Sequence, residues 1–142
     1  MKNLNNYINE AWSGVKKQSN IENIKSWCEE MNIRNYTINS KGEIDVDGSV
    51  SLDGNNFKEL PYKFGKINGR FNLSGCKKLI SLKNCPEEVG TNFYCSWCKK
   101  LTSLEGCPKK VGRGFYCGGC KRDFTKEEIQ SLCDIKKNNI YV

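Results

Sequence analysis

Phe93-Tyr94-Cys95-Ser96-Trp97-Cys98-Lys99-Lys100-Leu101-Thr102-Ser103-Leu104-Glu105-Gly106-Cys107-Pro108-Lys109-Lys110-Val111-Gly112 decides the reading of this chain, because it returns on both sides of itself at a spacing of 22 residues. Phe93 matches Phe71 and Phe115, and Cys98 matches Cys76 and Cys120. Leu79 falls on Leu101, Leu82 on Leu104, Cys85-Pro86 on Cys107-Pro108, and Val89-Gly90 on Val111-Gly112. Lys77-Lys78 matches Lys99-Lys100 and then Lys121-Arg122. Self-similarity at one fixed period marks a repeat architecture, in which units too small to bury their own apolar edge do so against their neighbours.

Within a unit the apolar residues alternate with period two at Phe93-x-Cys95 and then step by threes through Cys98, Leu101 and Leu104. The first part predicts a short strand and the rest a bend back. Stacked strands would form a parallel sheet with Phe71, Phe93 and Phe115 in one inward column, beside Leu73, Cys95 and Cys117. The Leu79/Leu101 and Leu82/Leu104 pairs would close the far side. Gly90 and Gly112 provide either a close backbone approach or a positive φ before the next strand.

These units resemble the leucine-rich repeat, whose copies run from 20 to 29 residues. The upstream stretch Val50-x-Leu52-x-x-Asn55-x-Phe57-x-x-Leu60-Pro61 is similar to the LxLxxNxL core of that family, and Cys76, Cys98 and Cys120 take the place of its Asn. The wording of Phe93-Tyr94-Cys95 and of Leu101 to Gly112, together with Asp45-Val46-Asp47-Gly48 and Leu60 to Lys66, is also similar to a cysteine-rich repeat of phage and bacterial proteins of mostly unassigned role. The resemblance spans about residues 36 to 120. It implies a fold, a cytoplasmic setting (the host cytoplasm for a phage-encoded chain) and a phage origin, but no reaction; a phage-encoded inhibitor of a host or defence protein fits the size and the resemblance.

A repeat stack needs covered ends. Leu4, Tyr7, Ile8, Ala11, Trp12 and Val15 follow helical spacing over residues 3 to 17, and Ser19 with Glu22 reads as a capping box opening a second helix through Ile21, Ile24, Trp27, Cys28 and Met31. Tyr36 to Ile38 and Glu43 to Val46 flank a turn-prone Asn39 to Gly42, predicting a hairpin. Thr125 with Glu128 caps a short closing helix, and Ile140-Tyr141-Val142 either adds an edge strand or lies loose. The expected fold is thus α+β: a single domain over 1–142, with a helical and hairpin N-terminal cap over 1–47. A short leucine-rich-repeat-like solenoid of parallel strands follows over 48–122, and a C-terminal cap with a short helix over 123–142.

Composition narrows the chemistry. The chain is 37% apolar and 27% charged, with nine cysteines and no histidine. A folded chain of this length buries about 70% of its unfolded surface and needs no covalent staple, so the cysteines read as reduced thiols in a cytoplasmic compartment. No apolar run is long enough for a membrane span, and Met1 to Glu10 is too polar for a secretory signal. Without histidine the commonest general base is missing. No Walker loop, dinucleotide fingerprint or nucleophile elbow occurs, so no enzyme and no cofactor is expected.

The Cys95-x-x-Cys98 and Cys117-x-x-Cys120 pairs have the spacing of a four-cysteine zinc ribbon, and structural zinc binding stands as an alternative. The repeat alone supplies both pairs, however, since Leu73 and Cys76 hold the same places one copy earlier. Thiol redox chemistry by these pairs ranks below zinc, because the βαβ context of a thioredoxin-like enzyme is missing. Surface residues point elsewhere. If Phe93 and Cys95 face inward, Tyr94 and Tyr116 face outward with Trp97 at the strand end, an aromatic set suited to interface hot spots. Residues 69–142 carry fourteen Lys/Arg against seven Asp/Glu, the whole net excess of +7. Lys77, Lys78, Lys99, Lys100, Lys121 and Arg122 form a basic stripe beside the aromatic face. The partner expected is a host protein with an acidic surface, bound without catalysis; nucleic acid bound by the same basic and aromatic face is the alternative.

Overall fold

Residues that match in the sequence lie side by side in space. In the computed structural model, which describes residues 3–142, Phe71 pairs in parallel with Phe93 and Phe93 with Phe115, each a step of 22 positions. The strands are short, two to four residues each: β1 (Tyr36–Ile38), β2 (Ile44–Val46), β3 (Val50–Ser51), β4 (Phe64–Ile67), β5 (Phe71–Asn72), β6 (Glu88–Val89), β7 (Phe93–Tyr94), β8 (Lys110–Val111), β9 (Phe115–Tyr116) and β10 (Ile140–Tyr141). They form two open five-stranded sheets, ordered β1-β2-β4-β6-β8 and β10-β9-β7-β5-β3. Every pairing is parallel except the β1/β2 hairpin, whose turn contains Gly42 at φ 77°.

The two helices are α1 (Leu4–Glu30) and α2 (Lys126–Leu132), giving an α+β chain. It divides into two compact units, Met1–Arg34 and Asn35–Val142, and the hairpin lies in the second. In the first unit, the expectation of two helices is corrected. α1 runs unbroken past Ser19, because Glu22 accepts a hydrogen bond from the Gln18 side chain (2.9 Å) instead of closing a box with Ser19, and no proline interrupts. Asn3 caps its start through the Asn6 N–H (3.0 Å). Asn32 at φ 55° ends it in a Schellman turn, with Asn32 N–H donating to Glu29 O and Ile33 N–H to Cys28 O. At the other terminus the Thr125/Glu128 capping box is complete in both directions, and Ile140–Tyr141 is an edge strand parallel to β9.

The second unit is held together by a column of fully buried rings. Phe71 and Phe93 stack with centroids 6.3 Å apart, Phe93 meets Phe115 edge-on at 5.0 Å, and Phe64 of the opposite sheet meets Phe71 edge-on at 5.0 Å. Leu73, Cys95, Cys117, Leu79, Leu101, Leu82 and Leu104 are buried with them. No charged or polar residue is buried among the described residues. One part of the unit departs from the expectation of a single strand followed by an irregular return: the return carries its own strand, with Glu88 pairing to Lys110 and Val89 to Val111. The glycines that follow serve close approach and not positive φ. A Cβ on Gly90 would lie 2.1 Å from Asn68 O, and one on Gly112 would lie 2.1 Å from Gly90 O. Only hydrogen lets these strands hold their Gly90 N–H to Ile67 O and Gly112 N–H to Val89 O bonds, 2.8 and 2.9 Å long.

Candidate functional site

Because Phe93 and Phe115 point inward, the period-two geometry of β7 and β9 turns Tyr94 and Tyr116 to the opposite face. The parallel register then sets them over each other, ring centroids 4.6 Å apart and planes 15° from parallel. Tyr141 of β10 extends the column, 4.4 Å from Tyr116 and 5° from parallel. Gly114 makes room for this, since a Cβ there would lie 2.5 Å from the Tyr116 ring. Asn92 ties the column to the backbone: its Nδ2 donates to Tyr94 Oη (3.0 Å) and its Oδ1 accepts from Gly114 N–H (2.9 Å). Burial against its neighbours, together with the flanking phenols, raises the pKa of Tyr116.

Trp97, three residues after Tyr94, has a conformation its side chain does not favour. Its φ is 62°, in the left-handed region, and the residues at the matching places are all glycine: Gly54, Gly75 and Gly119, at φ 71°, 70° and 73°. Left-handed backbone costs an L-residue roughly 1–2 kcal/mol. The indole is nevertheless 61% exposed. It lies against Gly119, where a Cβ would come within 2.6 Å of the ring, and Lys99 Nζ sits 4.5 Å from the ring centre while donating to Gly119 O (2.9 Å). A turn that three glycines make without strain therefore carries an outward tryptophan held in place by a cation.

The basic residues divide into two groups. Lys77, Lys78, Lys100 and Lys121 are exposed and, among the described residues, form no ion pair; Lys99 is exposed and engaged with Trp97. Arg122 is not a free charge. Its guanidinium grips Glu128 (2.8 and 3.2 Å), donates to Thr102 O (2.9 Å) and lies 4.2 Å from the Phe124 ring, so it clamps α2 to the preceding turn.

All nine cysteines are free thiols. Cys76, Cys98 and Cys120 each reach a carbonyl one copy back: Leu52 O at 3.3 Å, Leu73 O at 3.3 Å and Cys95 O at 3.2 Å. Asn55, which the repeat aligns with these cysteines, differs from them in bonding a carbonyl of its own copy, Leu52 O at 3.1 Å. Cys95, Cys98, Cys117 and Cys120 do not form a zinc cage, since no three His, Cys, Asp or Glu side chains are gathered around one point among the described residues. Burial pushes the thiols of Cys107, Cys117 and Cys133 up to about 12, and that of Cys95 well above the ordinary range.

Tyr141 and the strain at Trp97 were missed in the sequence, although both left a signal. Ile140-Tyr141 repeats the apolar-tyrosine pair of Phe93-Tyr94 and Phe115-Tyr116, and the 22-residue shift sets Trp97 between Gly75 and Gly119. No family description, characterised protein or solved structure matches this chain. No helix among the described residues is long and apolar enough to cross a membrane.

Proposed function

We propose that this chain is a non-catalytic protein-binding module: a short, capped, leucine-rich-repeat-like solenoid that presents Tyr94, Trp97, Tyr116 and Tyr141 to an acidic protein surface. The observation that carries the reading is Trp97. A large side chain, 61% exposed although it rests on Gly119 and Lys99, occupies a left-handed turn that three sister turns make with glycine, and tryptophan together with tyrosines is the composition of interface hot spots. Lys77, Lys78, Lys100 and Lys121 add unpaired positive charge, which steers association with an acidic partner.

Protein is favoured over nucleic acid as the partner by the way the rings are arranged. Binding of single strands uses free aromatic faces on which bases stack. Here Tyr116, in the middle of the column, is covered on both faces by Tyr94 and Tyr141 and offers no open face to a base. In the phage setting that the repeat resembles, such a module acts as an inhibitor by covering a surface of a host or defence protein. The test is capture from host lysate by the wild type, Trp97→Gly and Tyr116→Ala, alongside titration with an arbitrary labelled oligonucleotide. The reading expects one protein held by the wild type and lost by both variants. Equal capture by all three, or oligonucleotide binding that weakens steeply with salt and is abolished by the same substitutions, overturns it.

A further inference from the structure

Five of the ten large apolar side chains that stand exposed among the described residues fall within twelve consecutive positions of α1: Leu4, Tyr7, Ile8, Trp12 and Val15, exposed by 44 to 73%. Ala11, on the same face, is exposed as well. Scattered singly such residues need no explanation, but at helical spacing they form one continuous stripe about 16 Å long. The sequence offers this stripe as a cover for an end of the repeat stack, yet it is open. The helix buries a different side. Ile24 and Cys28 are its buried residues, and at 3.6 residues per turn they lie roughly 150° round the axis from the stripe, so one surface cannot cover both.

We propose that the Leu4–Val15 face of α1 is a homodimer interface, on which a second copy of this chain lays the same face in antiparallel orientation about a twofold axis. This inference does not depend on the protein-binding reading, because no residue of the Trp97 and tyrosine face takes part. The spacing carries it. Apolar positions 4, 7, 8, 11, 12 and 15 read the same from either end, so an antiparallel copy centred between Asn9 and Glu10 sets Leu4 against Val15, Tyr7 against Trp12 and Ile8 against Ala11. A twofold interface demands such reciprocity, since each contact must occur twice with the copies exchanged. Ile8 then fills the space over the small Ala11 on both sides of the axis. Parallel copies would oppose Ala11 to Ala11 and Trp12 to Trp12, a gap beside a collision.

Charge and area agree with a second copy as the occupant. Glu10 is the one charged residue between Leu4 and Val15, and the other polar side chains there are Asn5, Asn6, Asn9 and Ser13, so this segment does not repel its like. A helix that lies on lipid carries Lys and Arg along its polar side instead. At its observed exposure the stripe offers roughly 600 Å² per copy, so a pair hides about 1,200 Å², the lower bound of stable interfaces. The dimer is therefore reversible and its population follows protein concentration.

The experiment is sedimentation equilibrium of the full chain from about 5 to 500 µM, over which monomer should pass to dimer. Trp12→Gln removes the largest ring from an exposed helical position and should raise the dissociation constant at least about tenfold, with unchanged far-ultraviolet circular dichroism at dilution. Ile8→Lys and Ala11→Glu should each weaken association likewise. An equal mixture of those two should recover it, because antiparallel pairing brings position 8 of one copy to position 11 of the other. If a variant loses helicity, hydrogen exchange on the wild type decides: protection that grows with concentration should map to residues 4–15, and growth confined to other segments contradicts the proposal. A wild type that stays monomeric throughout, a dimer that Trp12→Gln does not weaken, or a mixture no better than its parts overturns it. So does a monomer that binds vesicles of anionic lipid, which would assign the face to a membrane.

Discussion

Glycine and alanine at position 97 separate backbone strain from side-chain contact. Both Trp97→Gly and Trp97→Ala remove the indole from Gly119 and from Lys99, so those losses cancel in the comparison. What remains is the left-handed φ of 62°. Alanine keeps the roughly 1–2 kcal/mol penalty of that conformation, whereas glycine escapes it but loses about 0.5–1 kcal/mol through the greater freedom of its unfolded chain. Glycine should therefore be the more stable variant by about 0.5–1 kcal/mol, the reverse of its usual rank against alanine. For a chain of this size that is a difference of about 2–4 °C in Tm. Urea unfolding at matched m-values, supported by thermal melts, reads it directly. An alanine variant as stable as the glycine variant, or more so, would refute the claim that Trp97 sits in a strained turn its sisters make freely. It would also remove the main support for a binding role.

Three other outcomes follow from the same geometry. Gly112→Ala should destabilise by at least about 2 kcal/mol, because its Cβ meets the Gly90 carbonyl at 2.1 Å, while Gly14→Ala, with open space around it inside α1, should strengthen the helix by about 0.5–1 kcal/mol; chemical denaturation and helix circular dichroism read the pair, and equal signs would contradict the packing. Phe93→Ala, which removes a fully buried ring lying between Phe71 and Phe115, should lower unfolding free energy by about 3–5 kcal/mol, and a loss under about 1 kcal/mol would mean the column is not the core. The Arg122 guanidinium and the Thr125 N–H hold the Glu128 carboxyl down to about 2. Its stabilising effect is therefore complete above the unfolded carboxylate value and fades as pH falls through about 2. A carboxyl carbon-13 titration of Glu128 should have its midpoint there and move upward in Arg122→Ala; a midpoint near the ordinary carboxylate value in the wild type would remove the clamp.

How far the sequence could be read depended on whether a feature repeats. The 22-residue period settled which residues lie side by side, so the burial of Phe71, Phe93 and Phe115 and the outward turn of Tyr94 and Tyr116 followed from alternation alone. The Thr125/Glu128 cap was equally legible, because two side chains at fixed spacing carry the whole motif. Ser19 and Glu22 have the same spacing and do not cap, since nothing around them stops a helix from running through and Gln18 competes for Glu22. The strands at Glu88–Val89 and Lys110–Val111 were hidden because no second apolar residue stands two places from Val89 or Val111, as Cys95 does from Phe93, and only the tight Gly90 and Gly112 approach betrays them. Arg122 looked like one more member of a basic stripe, but its partner Glu128 lies on a helix outside the repeat, where the period gives no information.

The account depends on successive copies lying one over the next, and the tyrosine rings report on this most directly. In a nuclear Overhauser spectrum of protein with tyrosine as the sole protonated aromatic, ring-to-ring contacts should link Tyr94 with Tyr116 and Tyr116 with Tyr141, at centroid separations of 4.6 and 4.4 Å. No direct contact should link Tyr94 with Tyr141. Absence of the Tyr94–Tyr116 contact in folded protein would contradict the register on which the core and the aromatic face rest.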